Sequence, residues 1–191
     1  MIKIVQARRE DSPSIARLIM RAMTIDCCLH FCGEGRTAED FRRVMLSLVE
    51  RDDTQYSYLN TICAVDDADG TVAGIIVSYD GGQLLTLRRT FLEAAMREWG
   101  RDLSDMPEET GPGELYLDSL AVLPSYCRRG IATSLLRAAA EKGRSMGLPL
   151  GLLVDAGNPD AERLYRKVGF RQVGVNTWGG HPMKHLMMLT D

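Results

Sequence analysis

The residues best suited to chemistry lie together: Arg128, Arg129, Gly130 and Thr133, between the apolar run Leu120-Ala121-Val122-Leu123 and the helical repeat Leu135, Leu136, Ala139, Ala140. A helix that starts after a glycine turn leaves several backbone N–H groups unpaired at the positive end of its dipole, and such groups bind phosphate. Two guanidinium groups and the hydroxyl of Thr133 or Ser134 add charged and polar contacts, and Gly130 and Ala132 let a pyrophosphate approach the backbone. The pattern is neither the GxxxxGK[ST] of nucleotide triphosphatases nor the GxGxxG of dinucleotide folds. It therefore specifies a phosphorylated ligand without naming it, and a glycine turn of purely structural role satisfies the same pattern.

Periodicity supplies the elements that must hold this turn. Residues 3–7 alternate as a strand, and Asp11, Ser12 and Pro13 then precede Ile15, Leu18, Ile19 and Ala22 at helical spacing. Residues 25–37 show no clear period and are expected to form a loop. Thr37 and Asp40 resemble a capping box ahead of Phe41, Val44, Met45, Leu48 and Val49. Two strands, 60–65 and 72–79, flank Asp66, Asp67, Asp69 and Gly70 and should pair antiparallel. Leu84, Leu87, Phe91, Leu92, Ala95 and Trp99 give a helix, followed by a polar stretch over 100–113. Strand 114–122, helix 130–146, strand 149–155, helix 158–168 and a last pair of strands, 170–178 and 182–190, complete the chain, the pair joined by Gly179, Gly180 and His181.

Composition narrows the class. A chain of 191 residues, 45% hydrophobic and 26% charged, supports one well-packed core, with one domain over 1–191 as the expectation. A net charge of −3 gives no chain-wide basic field for nucleic acid. No segment approaches the roughly 18 apolar residues of a membrane span or has the form of a signal peptide, so a cytoplasmic protein with no membrane partner is expected. Cys27, Cys28, Cys32, Cys63 and Cys127 form no regular disulfide framework. Adjacent cysteines near His30 do not match zinc-site spacing, so no metal is expected.

The ligand acquires an identity from a second segment, Asn158-Pro159-Asp160-Ala161-Glu162-Arg163-Leu164-Tyr165-Arg166-Lys167-Val168-Gly169-Phe170. With Cys127-Arg128-Arg129-Gly130-Ile131-Ala132 it resembles the GNAT (Gcn5-related) N-acetyltransferase family, whose hallmarks are a Q/R-x-x-G-x-G/A acetyl-CoA loop and a downstream N-x-x-A-x-x-L-Y-x-x-x-G-F segment. The motif resemblance covers roughly residues 114–175. It implies an α/β fold (α+β in some schemes), with a mixed, mostly antiparallel seven-stranded sheet splayed between its fourth and fifth strands and helices on both faces. The order of elements agrees with that plan except for an insertion at about 84–113. The departure is Cys127, where the family usually has glutamine or arginine.

The resemblance further implies a role for each matching residue. Pantetheine would insert beside the fourth strand and bond the main chain of Leu120 and Val122. Arg128, Arg129, Gly130, Ile131, Ala132 and Thr133 would hold the pyrophosphate, and Asn158 the pantetheine arm. Tyr165 would lie by the sulfur and protonate the leaving thiolate, the general acid of direct acyl transfer; a core aromatic is the alternative. The attacking amine needs a base. Alternation along 114–122 puts Glu114, Tyr116, Asp118 and Leu120 on one face, and the family often has a carboxylate on this strand, so Asp118 comes first and Glu114 second. His181, of a residue type that exchanges protons near neutral pH, comes third.

An acceptor pocket is expected from segments 25–37, 84–113 and 176–182, with Phe31, Glu34, Arg36, Trp99, Trp178 and His181, and the acidic tract 102–109 as an attraction for a cationic amine. The implied function is N-acetyl transfer from acetyl-CoA to a primary amine of a small molecule or peptide. The alternative is a non-catalytic acyl-CoA-binding sensor or interaction module. A homodimer through strand edges or the last hairpin is open, with Met183, Met187 and Met188 either adaptable surface or core.

Overall fold

The computed structural model describes residues 1–178 and 181–188. The chain runs β1 (Ile2–Gln6), α1 (Ser12–Met23), α2 (Ile25–Cys32), α3 (Ala38–Val49), β2 (Thr61–Asp66), β3 (Val72–Asp80), α4 (Leu84–Trp99), β4 (Leu115–Val122), α5 (Ile131–Met146), β5 (Leu150–Asp155), α6 (Pro159–Val168), β6 (Arg171–Trp178) and β7 (His181–Met188). The strands form a sheet in the order β1-β2-β3-β4-β5-β7-β6, in which β4 and β5 are parallel and every other neighbouring pair is antiparallel. Helices α1 to α4 pack on one face, α5 and α6 on the other. The turn residues Gly179 and Gly180 and the last strand positions 189 and 190 lie outside the described residues.

Local chemistry accounts for most element boundaries. Thr37 Oγ1 accepts from Asp40 N at 3.2 Å while Asp40 Oδ2 accepts from Thr37 N at 2.9 Å, the reciprocal capping box that starts α3. The 66–70 turn closes with Gly70 N donating to Asp66 O at 2.8 Å. Segment 25–32 departs from the expectation of a loop, for it is helical. Its buried residues Cys28, Phe31 and Cys32 sit at i, i+3 and i+4. Cysteine packs as a small hydrophobe, so residues weighed for metal chemistry were the apolar stripe of a helix. Burial accordingly pushes the Cys28 thiol up to about 12 and leaves it inert.

Two irregularities shape the middle of the sheet. The first is a bulge: Val77 pairs with Ser119 and Ser78 with Leu117, so Asp118 is an extra residue on β4. A bulge bends its strand and increases its twist. Lys142 of α5 donates to the Ser78 carbonyl at 2.7 Å, supplying a partner at this interruption of the ladder. The bulge also alters the expected alternation. Leu115 and Leu117 pack toward α5, as do Leu120 and Val122 beyond it, so Leu120 does not share the face of Asp118. The second irregularity is the splay. β4 pairs with β5 only at Leu115–Leu150, Tyr116–Gly151 and Leu117–Leu152, and past Leu117 the two strands part.

Candidate active site

The loop between β4 and α5 combines strain and free donors. Arg128 has φ +62, a left-handed conformation costing a non-glycine residue roughly 1–2 kcal/mol. Gly130 follows at φ +78 as the N-cap of α5 and offers no side chain to cap it. The backbone N–H groups of residues 128–133 have no protein acceptor among the described residues, so a cluster of donors stands at the helix start. Arg128, Arg129 and Gly130 are exposed, Ala132 and Thr133 half-buried, while Ile131 anchors the loop in the core. Arg129 lies over the Tyr126 ring at 4.9 Å, and Tyr126 OH donates to Asp66 Oδ2 at 3.0 Å, bracing the loop against the β2–β3 turn. Cys127 is exposed, its sulfur 3.5 Å from the Leu123 carbonyl.

This loop sits at the wide end of the splay. Leu123 N donates to Ala73 O of β3 at 2.8 Å. By alternation, the main-chain groups of Leu120 and Val122 point away from β3, toward the gap that β5 has left. The Val122 carbonyl accepts from Arg21 Nε at 3.3 Å. Tyr165 of α6 is half-buried against the α5-side core and edge-on to Phe170 at 5.6 Å between ring centroids. Burial raises its phenol to about 12, so it holds its proton at neutral pH, and its hydroxyl has no hydrogen-bond partner among the described residues. Asn158 caps α6, Oδ1 accepting from Ala161 N at 3.1 Å. Its role in the fold is thus to start the helix that carries Tyr165.

On the opposite face lies a buried polar network. Asp118 Oδ1 accepts from Ser119 Oγ at 2.8 Å, and Oδ2 accepts from Gln55 Nε2 at 3.2 Å and faces Tyr79 OH at 3.4 Å. Tyr79 OH is also 3.4 Å from Glu109 Oε1, and Glu109 pairs with Arg88 of α4. Arg88 and Glu109 are 3% and 6% exposed, so removing either would leave the other's charge buried without a counter-charge. Arg88 also donates to the carbonyls of Met106 and Pro107, tying the 100–113 segment to α4. Burial raises the Asp118 carboxyl above its usual range, opposed by its hydrogen bonds and by Arg88.

Beside this network, a cleft of about 310 Å³ opens between the 108–113 segment and β7. Glu114 and His185 line it, with His185 Nε2 2.7 Å from Glu114 Oε2, and Thr110 donates to the other Glu114 oxygen. His181 stands apart, 69% exposed and 3.9 Å from Asp155.

Of the expected pocket residues, Trp99 stacks on Phe41 in the core at 5.3 Å, and Phe31 is buried against Phe91; both are packing residues. Phe31 does touch Trp178 at 6.0 Å, joining α2 to the last hairpin, while Glu34 and Arg36 are exposed. Gln55, Tyr79, Arg88 and His185 are the residues that sequence reasoning missed, while Glu109 ends the acidic tract 102–109 singled out above. The one signal in the sequence was Arg88 on an otherwise apolar helical stripe with Leu84, Phe91 and Ala95.

Comparison with known proteins agrees with this geometry. The acetyltransferase (GNAT) family profile matches residues 29–170. The protein called acetyltransferase Atu2258, from Agrobacterium fabrum strain C58, is 40% identical over 65 residues, 34% of this chain and 47% of that protein. The match thus spans about half the length of that curated relative. Among solved structures, an N-acetyltransferase from Staphylococcus aureus Mu50 superimposes with a TM-score of 0.81 at 27% identity, covering 97% of this chain and 99% of its own. Another, described simply as an acetyltransferase, gives 0.77 at 29%, covering 99% and 100%. With a parallel β4–β5 pair that splays, a glycine loop at the start of α5 and a profile match over most of its length, this chain belongs to the acetyltransferase (GNAT) family.

Proposed function

We propose that this protein is a cytoplasmic, acetyl-CoA-dependent N-acetyltransferase that acetylates a primary amine of a small molecule or peptide by direct attack. The observation that carries this reading is the free β4 edge beyond Leu117, which leads into a cluster of unpaired N–H groups at the start of α5. The residues present fit acetyl-CoA. Residues 128–133 would take the pyrophosphate, Arg128 and Arg129 its charge, Leu120 and Val122 the amides of the pantetheine arm by strand addition, with Asn158 alongside. Bound there, acetyl-CoA supplies a thioester whose acyl carbon accepts the amine.

Tyr165 acts as general acid, giving its proton to the departing sulfur. Burial keeps its phenol protonated at neutral pH, so the proton is in place when the sulfur departs. Asp118, held by Ser119 and Gln55, acts as base for the amine. No helix among the described residues is long and apolar enough to cross a membrane.

The test is thiol release from acetyl-CoA with polyamines, aminoglycosides, amino acids and peptides as acceptors. At least one amine should give turnover, and Tyr165→Phe should lower kcat by about 10²-fold or more without weakening acetyl-CoA binding. Tight CoA binding with no turnover and an indifferent Tyr165→Phe would instead identify a non-catalytic acyl-CoA-binding module.

A further inference from the structure

The Glu114–His185 pair is unused by the mechanism above. The two side chains meet across β5 because the residue beneath them is Gly151, where a Cβ would collide with the Glu114 carboxylate. Glu114 is 4% exposed, and both its oxygens are engaged, by Thr110 Oγ1 and by His185 Nε2. An ionised carboxylate only accepts, so the hydrogen of a neutral imidazole belongs on Nε2 and the lone pair on Nδ1. Nδ1 has no partner among the described residues, and His185 lines the 310 Å³ cleft. A buried carboxylate that fixes the tautomer of a cleft-lining imidazole is an arrangement suited to general-base work.

Position and charge support the same use. His185 pairs with Leu153, the first β5 residue past the last β4 pair, so it stands about 5 Å, one strand spacing, from the point where the splay opens. Leu153 packs with Tyr79, Leu84 and Tyr116, which puts the cleft on the α4 face, opposite Tyr165. The cleft walls contain Glu108, Glu109 and Glu114 and no lysine or arginine; Arg88 engages Glu109 from outside the lining.

We propose that His185, oriented by Glu114, takes the first proton from an alkylammonium acceptor as it enters this cleft, making it a further catalytic residue. This rests on the N-acetyltransferase reading. The nitrogen arrives with three protons and leaves as an amide with one. His185 Nδ1 accepts the first and frees the lone pair that forms the N–C bond. The second leaves that nitrogen toward Asp118 once the bond has formed. As the C–S bond breaks, its electron pair stays on sulfur, which takes the Tyr165 proton. Two protons leave nitrogen, one ends on sulfur, and one net proton passes to solvent. The ionisable groups facing His185 in the cleft are Glu114, just before β4, and Glu108 and Glu109 from the segment that leads to it; the partners Leu153 on β5 and Gly174 on β6 have none.

The experiment uses the best alkylamine of the acceptor panel and follows His185→Gln and Glu114→Gln across pH. At neutral pH, His185→Gln should lower kcat/KM for the amine about 10²-fold and leave the KM for acetyl-CoA unchanged. The deficit should shrink at least tenfold near pH 10, where a large share of an alkylamine arrives unprotonated. Glu114→Gln should show the same pH pattern with a smaller loss. A deficit that is constant with pH, or absent, or accompanied by an equal change in the KM for acetyl-CoA, overturns the proposal. Imidazole ¹⁵N spectra of the wild-type protein add a readout that needs no acceptor: the neutral ring should have its hydrogen on Nε2, and an Nδ1–H tautomer overturns the proposal whichever amine is used. Normal turnover in His185→Gln with loss in Tyr165→Phe strikes this inference alone, whereas absence of turnover with every amine sinks both readings.

Discussion

The two faces of the splay are built by different means. On the α5 face, the candidate cofactor site consists of backbone: a strand edge, a left-handed turn and a helix start, all within residues 120–133. On the α4 face the candidate acceptor site consists of side chains drawn from positions 55, 79, 88, 109, 114, 118 and 185, which meet only in the folded sheet. A ligand common to a family can be held by main-chain groups that many sequences provide. Choice of acceptor and timing of proton transfer need particular side chains, and segment 84–113 supplies two of those on this face, Arg88 and Glu109.

The contrast can be broken from its strongest side first. Replacing Arg88 with methionine leaves Glu109 buried without its counter-charge, an arrangement that costs about 3–5 kcal/mol. Urea unfolding should show a loss of that size, and a loss below about 1 kcal/mol would mean that the ion pair contributes no more than an exposed one. On the other face, Arg128→Gly should separate fold from function. It relieves the left-handed strain, so the protein should gain about 1 kcal/mol. Removing a charge-assisted contact should weaken acetyl-CoA binding by about 1.5–3 kcal/mol, as read by calorimetry. If binding is unchanged, the backbone alone holds the pyrophosphate.

A subtler test uses pH. Burial raises the folded-state carboxyl of Asp118 above its unfolded value, so its contribution to stability is full below about pH 4 and is lost as the pH rises through the folded value. Melting temperatures of the wild type and Asp118→Asn should therefore converge or cross as the pH is raised from 3.5 toward 7. A gap that widens in favour of the wild type would mean that Ser119 and Gln55 hold an ionised carboxylate of lowered pKa. The smallest effect serves as a control remote from both faces of the splay: Thr37→Ala should cost about 1 kcal/mol by removing the α3 cap while leaving turnover intact.

How much of this was legible follows from the range of the interactions. The capping box at Thr37 and the glycine turn at Gly130 each depend on residues within four positions, and both stand in the sequence as written. Segment 25–32 was misread because two of the three residues of its helical stripe, Cys28 and Cys32, are cysteines. The bulge at Asp118 was invisible because it is a property of the β3–β4 pairing, not of β4, and it alone sends Leu120 to the α5 face. Trp99 and Phe31 were assigned to a pocket on residue type, yet both fill the core between α2, α3 and α4.

The sequence by itself determined the family, most of the order of elements and the glycine turn of the candidate cofactor loop, because glycine placement, caps and periodicity act over a few residues and leave a fixed spacing. Only the tertiary structure decided which acidic side chains gain partners. Glu109 meets Arg88, Glu114 meets His185 over the bare Gly151, and Asp118 meets Gln55 across more than sixty residues of chain. Burial makes an unpaired charge too costly to keep, so partners are found wherever the packed sheet brings them within reach, and no local spacing records where that will be.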